Sequence, residues 1–370
     1  PTLPREAPVK VALFTPMKPP DHPVPSGDRT FARLIKRALV AAGHTVSLPS
    51  TLTTWRKTPE GLEALVQSAD EEGRRIAASW EGDGPPDAIL TYHNYHKAPD
   101  LLGRALAERF GLPYAIVEAS RAPKRAHDAW ATHFALADDA LKRADALAAV
   151  TRLDEAGLTA FRPDTVVRLP PFIDTAPFDG PRHTPPGHRL VTAVMMRPGR
   201  KAASMRVLAD AFAKIRVALP TAELTVAGDG DARAELEPLF DGAQFVGRLG
   251  QEDLAQLFAQ SDIFVWPAID EPFGFVFLEA QAAGLPVVGG AARGVVDIVD
   301  DGTTGLLVPP SDANAFANAV VSLLNDPERR LAMGKAGRAF MANNDLAAGA
   351  ARLTALLARA ADRRNALTAG

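Results

Sequence analysis

Two carboxylates, Glu271 and Glu279, stand eight residues apart in the run DEPFGFVFLEAQAAGLPVV (270–288), separated by a nearly apolar stretch. A general acid/base pair has to converge on one reacting atom. Here the pattern reads as a loop followed by a helix that closes at Gly284 and Pro286, with Glu271 before the helix and Glu279 well inside its second turn. Acids so placed cannot share one proton, but they can address different ends of one extended ligand. The unpaired N–H groups of Phe273, Gly274 and Phe275 at the helix start favour phosphate, and Gly274 permits close backbone approach. A capped amphipathic helix with incidental surface acids would give the same E-x7-E spacing.

Other residues carry candidate chemistry. RPGRKAAS (197–204) supplies Arg197, Arg200 and Lys201, cations suited to a developing phosphate charge, or else an ordinary solvated loop. TYHNYHK (91–97) spaces His93 and His96 as a metal pair would be, without the partner cluster that zinc needs. Contacts to a substrate, or a plain polar loop, are the competing readings. GDGDARAE (228–235) imitates a truncated dinucleotide fingerprint, with Arg248 in the place of an NADP-selecting arginine. Its glycines follow the second strand of their domain instead of the first, and Ala234 stands where a third glycine belongs. Gly228 and Gly230 are thus a loop near a nucleotide or a structural turn. Ser26, Gly27 and Asp28 open a helix, where Ser26 or Asp28 can cap. Lys97, Lys124 and Arg125 read as a solvated basic scatter.

Short apolar runs alternate with helix-length amphipathic segments along the whole chain. Strands are expected at 9–15, 88–92, 113–119, 146–151 and 165–169, then at 189–195, 223–228, 243–247, 262–267, 286–290 and 305–309. Such alternation predicts parallel sheets covered by helices. The Pro- and Gly-rich run 173–188 divides the series, giving a first domain over 1–172, a linker, and a second domain over 189–345. A last helix over 346–370 is free to cross back to the first domain. Ligands of such folds bind at the C-terminal ends of the strands.

Composition narrows the function. At 370 residues the chain has room for two cores, and a net charge of -3 disfavours nucleic acid. The absence of cysteine excludes disulfides, thiolate metal sites and cysteine nucleophiles. The opening PTLPREAPVK lacks the pattern of a signal peptide, and no apolar run is long enough to cross a bilayer. The expectation is a cytoplasmic protein, with at most peripheral contact at the inner membrane face.

The run 270–288 together with GLPVVGGAARGVVDIVDDGTTGLLVPPSD (284–312), LTVAGDG, FVGRLGQEDLAQLFAQSDIFVWP and AVMMRPGRKAAS resembles the donor half of retaining glycosyltransferases of family 4. In the first domain the likeness rests on the opening strand-loop-helix unit, GHTV and LPPFID. The resemblance implies a GT-B fold, an α/β architecture of two doubly wound Rossmann-like parallel-sheet domains facing a central cleft. It implies transfer of a hexose-type unit from a UDP-, GDP- or other nucleotide sugar to a hydroxyl acceptor, which is a sugar, lipid-linked sugar or small molecule. Neither a metal nor a further cofactor is implied.

Carried over by position, Glu279 would hold the ribose hydroxyls, and Glu271 with the 273–275 backbone would hold the sugar and diphosphate. Lys201 would bind the diphosphate, and Gly228, Gly247 and Arg248 would lie with the donor. The family's usual arginine falls on Met196, so Arg197 or Arg200 would replace it. The family's cleft histidine falls on Glu118, which with His93 would contact the reacting sugar or hydroxyl, near a phosphate or acceptor loop at Gly27 and Asp28. Two other readings stay open: a nucleotide-sugar-binding protein without transfer activity, and an NADP-dependent oxidoreductase.

Overall fold

The computed structural model describes residues 8–181, 187–272 and 274–369. The chain divides into two compact units, one drawn from Pro1–Pro170 and Leu346–Gly370, the other from Pro171–Asp345.

The first unit runs β1 (Lys10–Phe14), α1 (Gly27–Ala41), β2 (Thr45–Ser47), α2 (Leu62–Asp83), β3 (Ala88–Asn94), α3 (Leu102–Phe110), β4 (Tyr114–Ala119), α4 (Ala131–Arg143), β5 (Ala146–Ala149), α5 (Arg152–Phe161) and β6 (Val166–Arg168). All pairings are parallel, in the order β2-β1-β3-β4-β5-β6. The central strands are buried on both faces, which is why they read as continuous apolar runs with no alternation. Helix α1 buries Phe31, Leu34, Ile35, Ala38 and Leu39, the spacing of one helical face, and Ser26 caps its first turn. On the other face, α2, α3 and α4 contribute Ile76, Leu106 and Leu141 to a core shared with Phe14, Ile89, Ile116 and Leu147.

The second unit runs β7 (Arg189–Ala193), α6 (Arg200–Ala218), β8 (Glu223–Ala227), the single turn α7 (Arg233–Leu236), β9 (Gln244–Gly247), α8 (Gln251–Ala259), β10 (Ile263–Trp266), α9 (Phe275–Ala282), β11 (Val287–Gly290), β12 (Gly305–Val308), α10 (Ala313–Leu324) and α11 (Pro327–Ala342). Its sheet is also parallel, ordered β12-β11-β10-β7-β8-β9. The segment ahead of β7, read from sequence as a linker, seats Phe178 at 2% exposure against Phe258 of α8.

The chain then returns to the first unit as α12 (Leu346–Ala369), packed on α1 and on β4 and β5. Arg364 from this helix reaches the buried Asp145, donating to Oδ1 at 2.7 Å. No helix among the described residues is long and apolar enough to cross a membrane.

Each strand order reverses direction once, between β1 and β3 in the first unit and between β7 and β10 in the second. In an open parallel sheet, the two loops leaving such a point diverge to opposite faces and open a crevice at the strand ends.

Candidate functional site

In the first unit the crevice beyond β1 and β3 is occupied by Asp28, His93 and Glu118. Asp28 comes from the first turn of α1, His93 from the end of β3 and Glu118 from the end of β4. His93 Nδ1 lies 3.4 Å from Asp28 Oδ1 and 3.5 Å from Glu118 Oε1. The three side chains keep only 12%, 22% and 11% of their exposure, in the order His93, Asp28, Glu118. Both His93 and Glu118 have left-handed backbones, at φ of 71° and 56°. Such conformations at non-glycine residues are costly and concentrate where a side chain must be aimed.

The electrostatics follow from this crowding. Burial pushes the Glu118 carboxyl up to about 7, with Asp28 adding to the rise and His93 opposing it. For His93, burial works against protonation, but the Glu118 and Asp28 carboxylates outweigh it and the net shift is upward. Asp28 moves down in spite of its burial, because of His93. A carboxyl near neutrality beside an imidazole can accept and return a hydroxyl proton. Glu118 Oε2, His93 Nδ1 and the Tyr92 hydroxyl are all buried without a hydrogen bond of good geometry, an arrangement uncommon for buried polar atoms. The loop beyond β3 is fixed by Asn94 and Asp100: Asn94 Oδ1 accepts the Asp100 N–H at 2.9 Å, and Asp100 takes Thr91 and Tyr114 hydroxyls at 2.5 Å each. His96 does not join His93 on a common ligand point. Each packs against the ring of Tyr95, at 5.2 and 4.7 Å respectively, and His96 continues onto Trp130. Arg121 turns away from Glu118 to pair with Asp138 at 2.5 Å.

In the second unit the crevice beyond β7 and β10 holds Lys201 and Glu271 as an ion pair. Lys201 also sits 5.3 Å from the centre of the Trp266 ring, whose Nε1 donates to Glu271 Oε2 at 3.4 Å. Arg200 pairs with Asp270 at 2.7 Å. The loop 267–272 that presents Glu271 is itself constrained, with Ala268 and Asp270 at φ of 50° and 52°. Ser204 Oγ accepts the Ile269 N–H at 3.0 Å, and the Gly294 N–H donates to Glu271 O at 3.2 Å. A Cβ at Gly290 would overlap Pro267 O, and one at Gly294 would overlap Pro272 O, so both positions require glycine for backbone contact.

Gly274 is the N-cap of α9 at φ 69° and Phe275 opens the helix; Phe273 lies outside the described residues. Glu279 lies one turn further on, and its carboxyl has no charged or hydrogen-bonding neighbour among the described residues that moves its protonation. Burial alone pushes it up to about 7.

Other expectations are modified. Met196 is fully buried, and its backbone bonds to the 229–232 loop. Arg197 follows it, partly exposed, and Arg200 is committed to Asp270. Gly228 and Gly230, at φ 116° and 154°, lie where a Cβ would overlap the carbonyls of Val194 and Met196. Their glycine requirement is thus explained by packing on the β7 loop, without a dinucleotide fingerprint. Gly247 accepts the Gly228 N–H at 2.7 Å, and Arg248 is exposed next to it. Asp229 Oδ1 accepts the Gly230 N–H at 2.8 Å.

Residues 188–326 match the family model described as Glycosyl transferases group 1. That match covers most of the second unit. Within it lie Lys201, Glu271, Glu279 and the glycines that hold their loops. The sulfoquinovosyl transferase of Arabidopsis thaliana is 42% identical over 125 residues, 32% of this chain and 24% of that protein. A GDP-mannose-dependent phosphatidylinositol monomannoside mannosyltransferase of Mycolicibacterium smegmatis is 33% identical over 209 residues, 50% of this chain and 54% of that protein. The chain thus spans between about a quarter and about half the length of these relatives. Over the whole fold, sucrose-phosphate synthase from Thermosynechococcus elongatus superposes with a TM-score of 0.73 at 23% identity, covering 98% of this chain and 100% of that one. Anabaena HepE, solved with UDP-glucose, gives 0.62 at 18% identity, over 94% and 98%. The fold is GT-B.

Sequence reasoning passed over Tyr92, Trp266, Gly290 and Gly294. The last three do lie within the group 1 match, where a tryptophan ending a strand and glycines following one were the available signals. Tyr92 gave none, since a tyrosine inside an apolar strand reads as core.

Proposed function

We propose that the protein is a retaining glycosyltransferase that moves a hexose-type sugar from a nucleotide diphosphate sugar to a hydroxyl acceptor. The observation that carries this reading is the half-buried Glu279 carboxylate, with no cation beside it, on the same helix whose N-terminus adjoins the Lys201–Glu271 pair. A carboxylate in that state gains most from ligand hydroxyls, here those of a ribose. Lys201 and the start of α9 supply positive charge for the diphosphate, strongest as the leaving group develops. Glu271 takes hydroxyls of the donor sugar. In the first unit, Glu118 and His93 orient the acceptor hydroxyl, and the leaving phosphate helps remove its proton.

The charge supplied by Lys201 and the helix end makes a metal-independent reaction with no cofactor beyond the donor the reading we adopt. Relatives that use GDP-mannose and neighbours solved with UDP support a UDP or GDP donor. A cytoplasmic protein with at most peripheral membrane contact fits this reading.

A thermal-shift panel of nucleotide sugars tests it. A ligand at 100 times its dissociation constant stabilises by about 2.7 kcal/mol. Product formation with retained anomeric configuration, read by NMR, completes the test. A panel without any shift, or an inverted product, overturns the proposal.

A further inference from the structure

Two residues beyond Glu279, helix α9 carries an amide on its buried side. Gln281 is 0% exposed, as buried as Phe277, Leu278 and Ala280 of the same helix. Its orientation is set by two carbonyls: Nε2 donates to Phe277 O at 3.2 Å, one turn back in α9, and to Ile298 O at 2.9 Å, outside the helix. Oε1 is buried and makes no hydrogen bond among the described residues. An unbonded buried oxygen costs stability, and a methionine of similar reach would fill the site without that cost. The one bond that ties this side chain to another element is the bond to Ile298.

What that bond holds is the loop 291–299. Ile298 follows the 3-10 turn Val295–Asp297, and its own N–H donates to Val295 O at 3.0 Å, so the amide fixes the turn on α9. The other edge of the loop meets the segment that presents Glu271. Gly294, just before the turn, donates its N–H to Glu271 O at 3.2 Å and lies so close to Pro272 O that a Cβ would overlap it. Asp270, next to Glu271, has a left-handed backbone at φ 52°, a conformation that persists only where its surroundings hold it. The connection therefore runs unbroken from the Gln281 amide, through the turn, to the Glu271 backbone.

We propose that Gln281 is a positioning residue for Glu271: its amide pins the 291–299 loop to α9, and that loop sets where the Glu271 backbone lies. Glu279 stands on α9 itself, so the same amide keeps the two acids in one frame. A primary amide suits this task because its two N–H groups reach helix and turn at once. Support of this kind, from side chains that touch no ligand, is what holds a binding residue to its working geometry. This assignment rests on the donor role given to Glu271 and Glu279.

Gln281→Met in the full chain removes both donors and keeps the side-chain length. The Trp266 indole N–H donates to Glu271 Oε2, so its NMR resonance reports where that acid lies and should shift in the ligand-free variant. Exchange of the Gly294 amide should quicken about tenfold. Turnover should fall about tenfold while the Kd for UDP or GDP stays within about twofold of the parent. Tm should stay close to the parent, because the lost bond to Ile298 and the removed orphan oxygen offset each other. Gln281→Glu donates to a carbonyl only when its carboxyl is protonated. Its turnover relative to the parent should therefore recover as pH falls, which a packing defect would not do. The Trp266 and Gly294 signals of this second variant across pH decide the matter if the methionine variant does not fold. An unmoved Trp266 resonance with parental Gly294 exchange overturns the proposal, as does a Gln281→Glu chain indifferent to pH. Calorimetric binding of UDP and GDP to the parent separates the two claims. With nucleotide bound and both signals unmoved, the positioning role falls alone; with the signals moved and no nucleotide bound, the donor reading falls and the positioning of Glu271 stands.

Discussion

His93 and Glu118 face each other from adjacent strands, Nδ1 to Oε1 at 3.5 Å, and both carry left-handed backbones. The β3–β4 ladder pairs Tyr92 with Val117 and Asn94 with Ala119, on either side of them. Each conformation costs on the order of 1–3 kcal/mol and persists because the flanking register over-determines it. Strained positions of this kind are built to hold two side chains at one point.

Glu118→Gln keeps the shape of the side chain and removes its capacity to take a proton. Transfer should fall at least tenfold, about 1.4 kcal/mol of barrier, while nucleotide affinity stays close to the parent. Steady-state kinetics beside calorimetry reads both. Near-parental transfer would remove Glu118 from the reaction.

Glu279 carries a prediction about both stability and binding. Its pKa in the folded chain, about 7, stands above the ordinary 4.5, so the folded state holds the proton more tightly. The ligand-free protein therefore loses stability from this group as pH rises from 4.5 to about 7, and the penalty is complete above that range. Glu279→Gln should raise the Tm of the ligand-free protein near pH 8. The same change should weaken binding of the nucleotide diphosphate by roughly 1.5–3 kcal/mol, the range for a lost charge-assisted hydrogen bond. Unchanged affinity by calorimetry would rule out the ribose role.

Lys201→Ala is expected to lower turnover more than donor affinity, because the contact to the diphosphate strengthens as the bond breaks. A rise confined to KM would make the lysine a ground-state binder. The substitution also strips Glu271 of its ion-pair partner.

Two glycine substitutions should go in opposite directions. Gly294→Ala forces a Cβ into Pro272 O and Glu271 O, so it should displace the loop carrying Glu271 and abolish transfer. Gly157→Ala, inside α5 with open space around it, should stabilise by about 0.5–1 kcal/mol and leave transfer unchanged. Paired thermal melts and activity assays check both.

The fold class was legible because buried parallel strands advertise themselves as short apolar runs. Strand β2 was not read as one: its three residues are exposed or half-exposed and give no such run. The Glu271–Glu279 stretch was legible because its loop, helix and acids are contiguous. The arrangement of Asp28, His93 and Glu118 was not, because three loops far apart in the chain assemble it and only the strand order says which ends meet. His93 and Glu118 were singled out by residue type and resemblance. That both sit at positive φ is set by the ladder around them.

The path of the chain through its units bears on how the protein is made. Everything in the second unit lies on one uninterrupted segment, whereas the first is missing α12 until the whole second unit has been synthesised. On the ribosome the later unit can finish its core while the earlier one waits with α1, β4 and β5 partly uncovered. Removing α12 would therefore harm the first unit, and a stop codon near residue 345 should send that unit, not its neighbour, to aggregation.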